Sequence, residues 1–221
     1  KRMLTTFFDE SAMDYRLASQ LKDLKDLQNS DGSWSWWRGM RGSASITAQV
    51  LQTLARLNVM AGYQKATAKM IENGMDYLRT VVMKEFEEMK RMEKKGQKPM
   101  ICDYHAIQYL YINTLLGKNP FYDSDYVELK NYLLKYLEAD RHRDIYSKAL
   151  MAVVLNGDGK AKKAKEYVES IRQYTVTKPG MGTYFDTWHA GYSWFDYRIP
   201  TQTAAIEALK AVDPADTETI N

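Results

Sequence analysis

The chain has 221 residues, 45% of them apolar and 27% charged, a balance that excludes a disordered or collagen-like polymer and fits one folded domain over 1–221. Its 31 Lys and Arg stand against 28 Asp and Glu, a net charge of +3 with no dense basic stripe, which excludes a strong polyanion binder and with it a nucleic-acid partner. A single cysteine, Cys102, excludes an internal disulfide and a thiolate zinc cluster, and no apolar run approaches the length of a membrane span.

Lys1-Arg2-Met3 leads into Thr5-Thr6-Phe7-Phe8, which is not a signal-peptide core, and a start at Lys1 suggests a piece of a larger multidomain protein. From there the sequence reads as helix almost throughout. Helices are predicted over 11–28, 44–58, 63–94, 102–117, 124–139, 143–156, 159–174 and 200–212. Leu17, Leu21, Leu24 and Leu27 line one face of the first. Val50, Leu51, Leu54 and Leu57 do so in the second, and Ile107, Leu110, Tyr111 and Leu115 in the fourth. Gly74 inside 63–94 allows one bent helix or two, and the mixed Glu and Lys of 84–98 read as a solvated helix end. Asp123-Ser124 suits a helix start, Gly117 and Gly157 suit stops, and Pro200 suits a first turn. Sustained period-two alternation is absent, so no strand is expected.

The odd-numbered helices carry a charged face, such as Lys22, Asp23, Lys25 and Asp26, or Lys160, Lys162, Lys163 and Lys165. The even-numbered ones are poorer in charge. Aligning the even helices gives an eight-residue unit at 47–54, 103–110, 146–153 and 202–209. Its fourth position is Val50, Ala106, Ala149 and Ala205, its fifth Leu51, Ile107, Leu150 and Ile206, and its eighth Leu54, Leu110, Val153 and Leu209. A helical pair recurring about every fifty residues marks a helical array. The predicted fold is therefore all-α: about four helix pairs in two layers, apolar set inside, closing into a barrel or leaving an open arc.

All five tryptophans fall in two loops, each between an outer-type and an inner-type helix. Trp34, Trp36 and Trp37 follow the first helix, and Trp188 and Trp194 follow the seventh. The first loop reads Gln28-Asn29-Ser30-Asp31-Gly32-Ser33-Trp34. The second carries Gly182-Thr183-Tyr184-Phe185 and then Trp188-His189-Ala190-Gly191-Tyr192-Ser193-Trp194. Gly32 can take a positive φ while the aromatic folds over the helix end, and Gln28 can bond open backbone groups there. Trp34 and Tyr184 are expected to be largely buried, at equivalent places in the repeat.

Gln-x-x-x-Gly-x-Trp at 28–34 resembles the hairpin-loop repeat of the α/α-toroid superfamily, which includes terpene cyclases, protein prenyltransferases and the thioester domains of complement and alpha-2-macroglobulins. Leu27 to Trp36, followed by Ile46-Thr47-Ala48-Gln49-Val50-Leu51, resembles the bacterial alpha-2-macroglobulin-like branch. Ile145-Tyr146-Ser147-Lys148-Ala149-Leu150, Gly182-Thr183-Tyr184-Phe185, Tyr192-Ser193-Trp194 and Ile199-Pro200-Thr201-Gln202-Thr203-Ala204 resemble it as well, so that the likeness spans about 20–212. The resemblance implies an α/α toroid in a large periplasmic or cell-envelope protein, with neighbouring domains and proteases as partners and endopeptidase inhibition as the activity of the whole.

The chain departs from that family at its chemistry. Thioester-forming members carry Cys-x-Glu-Gln, and no such motif occurs here: Cys102 lies in Ile101-Cys102-Asp103-Tyr104-His105. The thioester either lies upstream in the parent or has been lost. The Asp-x-Asp-Asp acid of the cyclases is absent too, and Cys102, Asp103 and His105 crowded at one helix start do not resemble the zinc site of the prenyltransferases, so Cys102 reads as a small core residue. His142 between Arg141 and Arg143 reads as exposed. Asp9 with Glu10, Asp123 with Asp125, and Asp140 with Asp144 read as caps or solvated carboxylates. Tyr104, Tyr109, Tyr111, Tyr132 and Tyr136 fall on helical faces as packing residues. No phosphate-binding glycine loop or nucleophile elbow is present.

Two functions stay open at this point. The favoured one is a non-catalytic interaction domain without cofactor or metal, presenting Trp36, Trp37, Trp188, His189 and Trp194 as its contact surface. The other is an α/α-barrel enzyme acting on glycan or lipid through the same loops, with His189 as an acid or base. It would need two carboxylates, or a carboxylate and a histidine, converging with the tryptophans, and 180–200 offers only Asp186 and Asp196.

Overall fold

The computed structural model describes residues 10–97, 103–117, 124–139, 144–190 and 198–215. Of these, 74% lie in eight α-helices, and the rest include one two-stranded sheet, so the fold is all-α. The chain gathers into two compact units, residues 1–99 and 100–221.

In the first unit, α1 (Glu10–Asp26), α2 (Ala44–Ala61) and α3 (Gln64–Lys94) pack through α3, which contacts both others. Ser43 caps α2, its hydroxyl accepting from the Ile46 amide, and the helix closes where the Gly62 amide donates to the Asn58 carbonyl. Residues 63–94 form one helix from Gln64 onward despite Gly74. Its buried side is Thr67, Met70, Ile71, Gly74, Met75, Leu78, Val82, Phe86 and Met89, a stripe at steps of three and four that holds helical phase across the glycine.

The second unit holds α4 (Asp103–Leu116), α5 (Ser124–Ala139), α6 (Ile145–Gly157), α7 (Ala161–Arg172) and α8 (Arg198–Val212). α6 is its centre: it packs most broadly on α8 and α7 and also on α4, while α5 packs on α4. Every residue of α4 from Ala106 to Asn113 is buried. Polar ties hold this assembly in register. Gln108 Nε2 donates to the Tyr146 hydroxyl at 3.0 Å, and the Tyr111 hydroxyl donates to Glu207. Lys130 reaches Asp158 at 2.5 Å, Arg172 reaches Asp213 at 3.0 Å, and Asn156 Nδ2 donates to the Ala211 carbonyl at 3.0 Å.

One expectation is overturned in this unit. A hairpin of β1 (Thr175–Lys178) and β2 (Gly182–Phe185) stands where no strand was expected, antiparallel with Thr175 opposite Phe185 and Lys178 opposite Gly182. Thr175, Val176 and Thr177 are β-branched and Pro179-Gly180 supplies the turn, so four residues a side suffice. The pairing also corrects Tyr184. Alternation along β2 buries Phe185 and leaves Tyr184 half-buried, with the Lys178 ammonium 5.5 Å from its ring.

The repeat alignment of the even helices holds at most positions. Ala106, Ala149 and Ala205 are buried, as are Leu51, Ile107, Leu150, Leu54, Leu110 and Leu209. Val50 and Val153 are only half-buried, Val50 because α2 turns its Ala48, Leu51 and Ala55 face inward and Val153 because α6 buries Leu150, Met151, Val154 and Leu155 instead. Ile206 is 45% exposed, because Ala204, Ala205, Ala208 and Leu209 form the buried side of α8.

Asp144 caps α6, its carboxylate accepting from the Ser147 amide at 2.8 Å and the Ser147 hydroxyl at 2.9 Å. Asp144→Ala is expected to lower stability by about 1 kcal/mol. The urea midpoint of the chain measures this, and an unchanged midpoint would show that the cap contributes nothing.

Candidate functional site

The first aromatic loop has two halves of opposite character. Residues 28–34 are stapled to the helices. Gln28 Nε2 donates to the Gly32 carbonyl at 2.9 Å and to the Met70 carbonyl at 3.0 Å, binding the exit of α1 to α3 as its place in the motif suggested. Asp31 Oδ1 accepts from the Ser33 amide at 3.0 Å and its hydroxyl at 2.6 Å, and Asn29 Nδ2 donates to that hydroxyl at 3.0 Å. Gly32 has φ +85°, and a Cβ there would lie 2.1 Å from the Asn73 carbonyl oxygen. Trp34 is 2% exposed. Its amide donates to Thr47 Oγ1 and its Nε1 to the Leu24 carbonyl, both at 2.9 Å. Its ring edge and Leu51 occupy the space a side chain at Gly74 would need. The burial expected of Trp34 is what the structure has.

Residues 35–41 turn outward. Trp36 is 47% and Trp37 74% exposed, and Met40, Arg38 and Arg41 are exposed beside them. Ser35 Oγ donates to the Trp37 carbonyl at 2.8 Å, and the Met40 amide donates to the same carbonyl at 3.1 Å, so the outward half is a defined turn. Burial, with the Asp31 charge behind it, pushes the Tyr77 hydroxyl above its ordinary value, and Arg41 pulls the other way. The loop thus offers an apolar tip with two cations and holds its one carboxylate, Asp31, in its own backbone.

The second aromatic segment is built differently. Trp188 and His189 lie in a 3-10 turn, Trp188–Ala190, that packs on α6, and Trp194 lies outside the described residues. The Ala190 carbonyl accepts from the buried Thr201 hydroxyl at 2.8 Å, which ties the turn to α8. The His189 ring lies against Tyr174, centroids 4.8 Å apart, and the His189 amide donates to Thr187 Oγ1 at 3.2 Å. Asp186 is exposed and reaches Lys178 at 3.3 Å. Hydrogen bonds that the Lys178 ammonium donates to Tyr184 and Asp186 hold it above the usual lysine value. The two tryptophan loops therefore do not share one local structure, although both join an odd helix to an even one.

A residue the sequence reading passed over sits beside this turn. Lys148, on α6 among apolar neighbours, is 8% exposed. Its Nζ donates to Ser170 Oγ at 2.9 Å and lies 5.5 Å from the Tyr174 ring centroid. A lysine inside Ile145-Tyr146-Ser147-Lys148-Ala149-Leu150 was the available signal, because a charge within an apolar helical run is rarely buried without a partner.

The remaining candidates stand apart from both segments. His105 meets Tyr104 edge-on at 5.9 Å, while Cys102 and His142 lie outside the described residues. No group of three or more His, Cys, Asp or Glu placed to hold a metal ion occurs among the described residues, and no described helix is long and apolar enough to cross a membrane. No family profile and no curated protein matches the sequence.

Proposed function

We propose that the chain is a non-catalytic helical interaction domain of a bacterial alpha-2-macroglobulin-like envelope protein, its helix pairs arranged as an α/α toroid or open arc. It contributes to protease trapping by contacting neighbouring domains of the parent or the captured protease. One observation carries this reading: the loop that buries Trp34 as an anchor holds Trp36 and Trp37 outward on a defined turn. Rigid exposed aromatics beside arginines are the composition that concentrates binding energy at protein interfaces. The packing of the even helices α4 and α8 on α6, with α7 against α6 and α8 and α5 against α4, supports the layered arrangement.

The test is the double variant Trp36→Ser, Trp37→Ser in the parent protein. Protease inhibition by the parent is expected to fall by about tenfold or more, while the melting temperature of the chain stays where it was. Retained inhibition would remove the contact role. Hydrolysis of any member of a glycan panel, lost in His189→Ala, would replace this reading with the enzymatic one.

A further inference from the structure

Resting on the protein-contact role of the first aromatic loop, we propose the chemistry of the surface it meets. Arg38 leads the contact into a carboxylate-lined recess on the partner protein, and Trp37 and Met40 close against the rim of that recess.

The shape of the loop puts Arg38 foremost. The Ser43 amide donates to the Trp34 carbonyl at 2.9 Å, so residues 35–42 leave and rejoin the helices at one closed neck. Beyond the neck, the Met40 amide donates to the Trp37 carbonyl, which makes Trp37 to Met40 a β-turn with Arg38 and Gly39 as its two corner residues. Gly39 has φ +83°, and a Cβ there would meet nothing within 4 Å, so the corner stands clear of the rest of the chain. Arg38 is exposed at that corner, with exposed Trp37 before it and exposed Met40 after the glycine. An apex already held in one shape loses little freedom when it docks.

Charge says what the apex meets. From Gly32 to Ile71 the sequence has no Asp or Glu, while Arg38, Arg41, Arg56, Lys65 and Lys69 are all cationic. Asp31, just before this stretch, accepts from the Ser33 amide and hydroxyl at the base of the loop. An anionic surface is therefore the complement of the tip. Lipid phosphates and protein carboxylates both supply one, and the order of side chains separates them. A loop that seats in a bilayer leads with apolar side chains and keeps its cations back at the headgroups. Here the cation leads and the apolar side chains flank it. A guanidinium forms two parallel N–H···O bonds with a carboxylate, and aromatic and thioether groups around such a pair exclude water from it.

The test follows the rate of protease inhibition by the parent protein at about 20 mM and about 500 mM NaCl. Arg38→Glu is expected to slow inhibition by about tenfold or more at low salt and by less than about threefold at high salt, with the melting temperature unchanged. Full speed in Arg38→Glu while Trp36→Ser, Trp37→Ser is slow would overturn the acidic recess and leave the contact role standing. Full speed in both would overturn both, and a defect that salt does not relieve would overturn the recess. In Arg38→Lys, carbodiimide is expected to join the introduced amine to an Asp or Glu of the partner, identified by mass spectrometry of the linked peptides; no link from position 38 would overturn the proposal. Vesicles of phosphatidylcholine with about a third phosphatidylglycerol give the lipid arm. The full chain is expected not to bind them, and a saturable blue shift of tryptophan fluorescence, lost in Trp37→Ser, would assign the tip to a lipid surface instead.

Discussion

Trp34→Ala is expected to destabilise the first unit by about 3–5 kcal/mol, the range for truncating a buried aromatic. The side chain does three things at once. It fills a fully enclosed space against Gly74 and Leu51, it satisfies the Leu24 carbonyl near the end of α1, and its amide position fixes Thr47 at the start of α2. Alanine keeps only the last of these. The emptied volume cannot be filled from Gly74, which has no side chain to move into it, so the cavity cost should sit toward the upper end. Denaturant unfolding followed by tryptophan fluorescence and circular dichroism measures the loss, and an unchanged melting temperature would refute the structural role. Trp37→Ala is the matched control: at 74% exposure it should change stability by less than about 0.5 kcal/mol.

The second large effect is expected at Gly32. An alanine there meets two penalties. Its φ of +85° is costly for any residue with a Cβ, by about 1–2 kcal/mol, and the added carbon would sit 2.1 Å from the Asn73 carbonyl oxygen. That oxygen belongs to the backbone of α3 and cannot rotate aside, so the loop must lift from the helix and break the Gln28 bond to the Met70 carbonyl. A loss of about 3 kcal/mol or more follows. Gly32→Asn separates the two penalties, because asparagine tolerates left-handed φ better than alanine but carries the same Cβ. Recovery of most of the stability in Gly32→Asn would show that φ alone sets the requirement.

Helix positions were legible because each apolar stripe keeps the 3.6-residue period and each break is marked by Gly, Pro or a capping residue. The expected ends agree with the observed ones to within three residues throughout. Trp34 and Gln28 were legible because a glycine between a polar reach-back residue and an aromatic implies a tight turn folded onto its own helix. The hairpin was not, since four residues such as Thr175–Lys178 are too few to establish an alternation, and their stability comes from pairing across the turn. The same parity decided Tyr184 against Phe185. Val50, Val153 and Ile206 were misplaced because an eight-residue unit fixes helical phase only to about one position, and neighbouring helices settle the rest. At the candidate sites, the outward turn of Trp36 and Trp37 was written in Trp-Trp-Arg-Gly-Met-Arg. The Lys148 cluster was not, because Lys148, the Ser170–Tyr174 end of α7 and His189 come from three separate segments that only the packing around α6 brings together.

The unbroken run of α3 through Gly74 has a mechanical consequence. At 31 residues the helix is about 46 Å long, and its buried stripe continues to Phe86 and Met89. Gln28 clamps the aromatic loop to this rod at Met70, near one end. A load applied to Trp36 or Trp37 is therefore borne by a stiff beam rather than absorbed by a flexible strap. A tilt of about 10° about the Met70 clamp would sweep the far tip, about 36 Å away, through about 6 Å, a lever arm set by the helical rise alone.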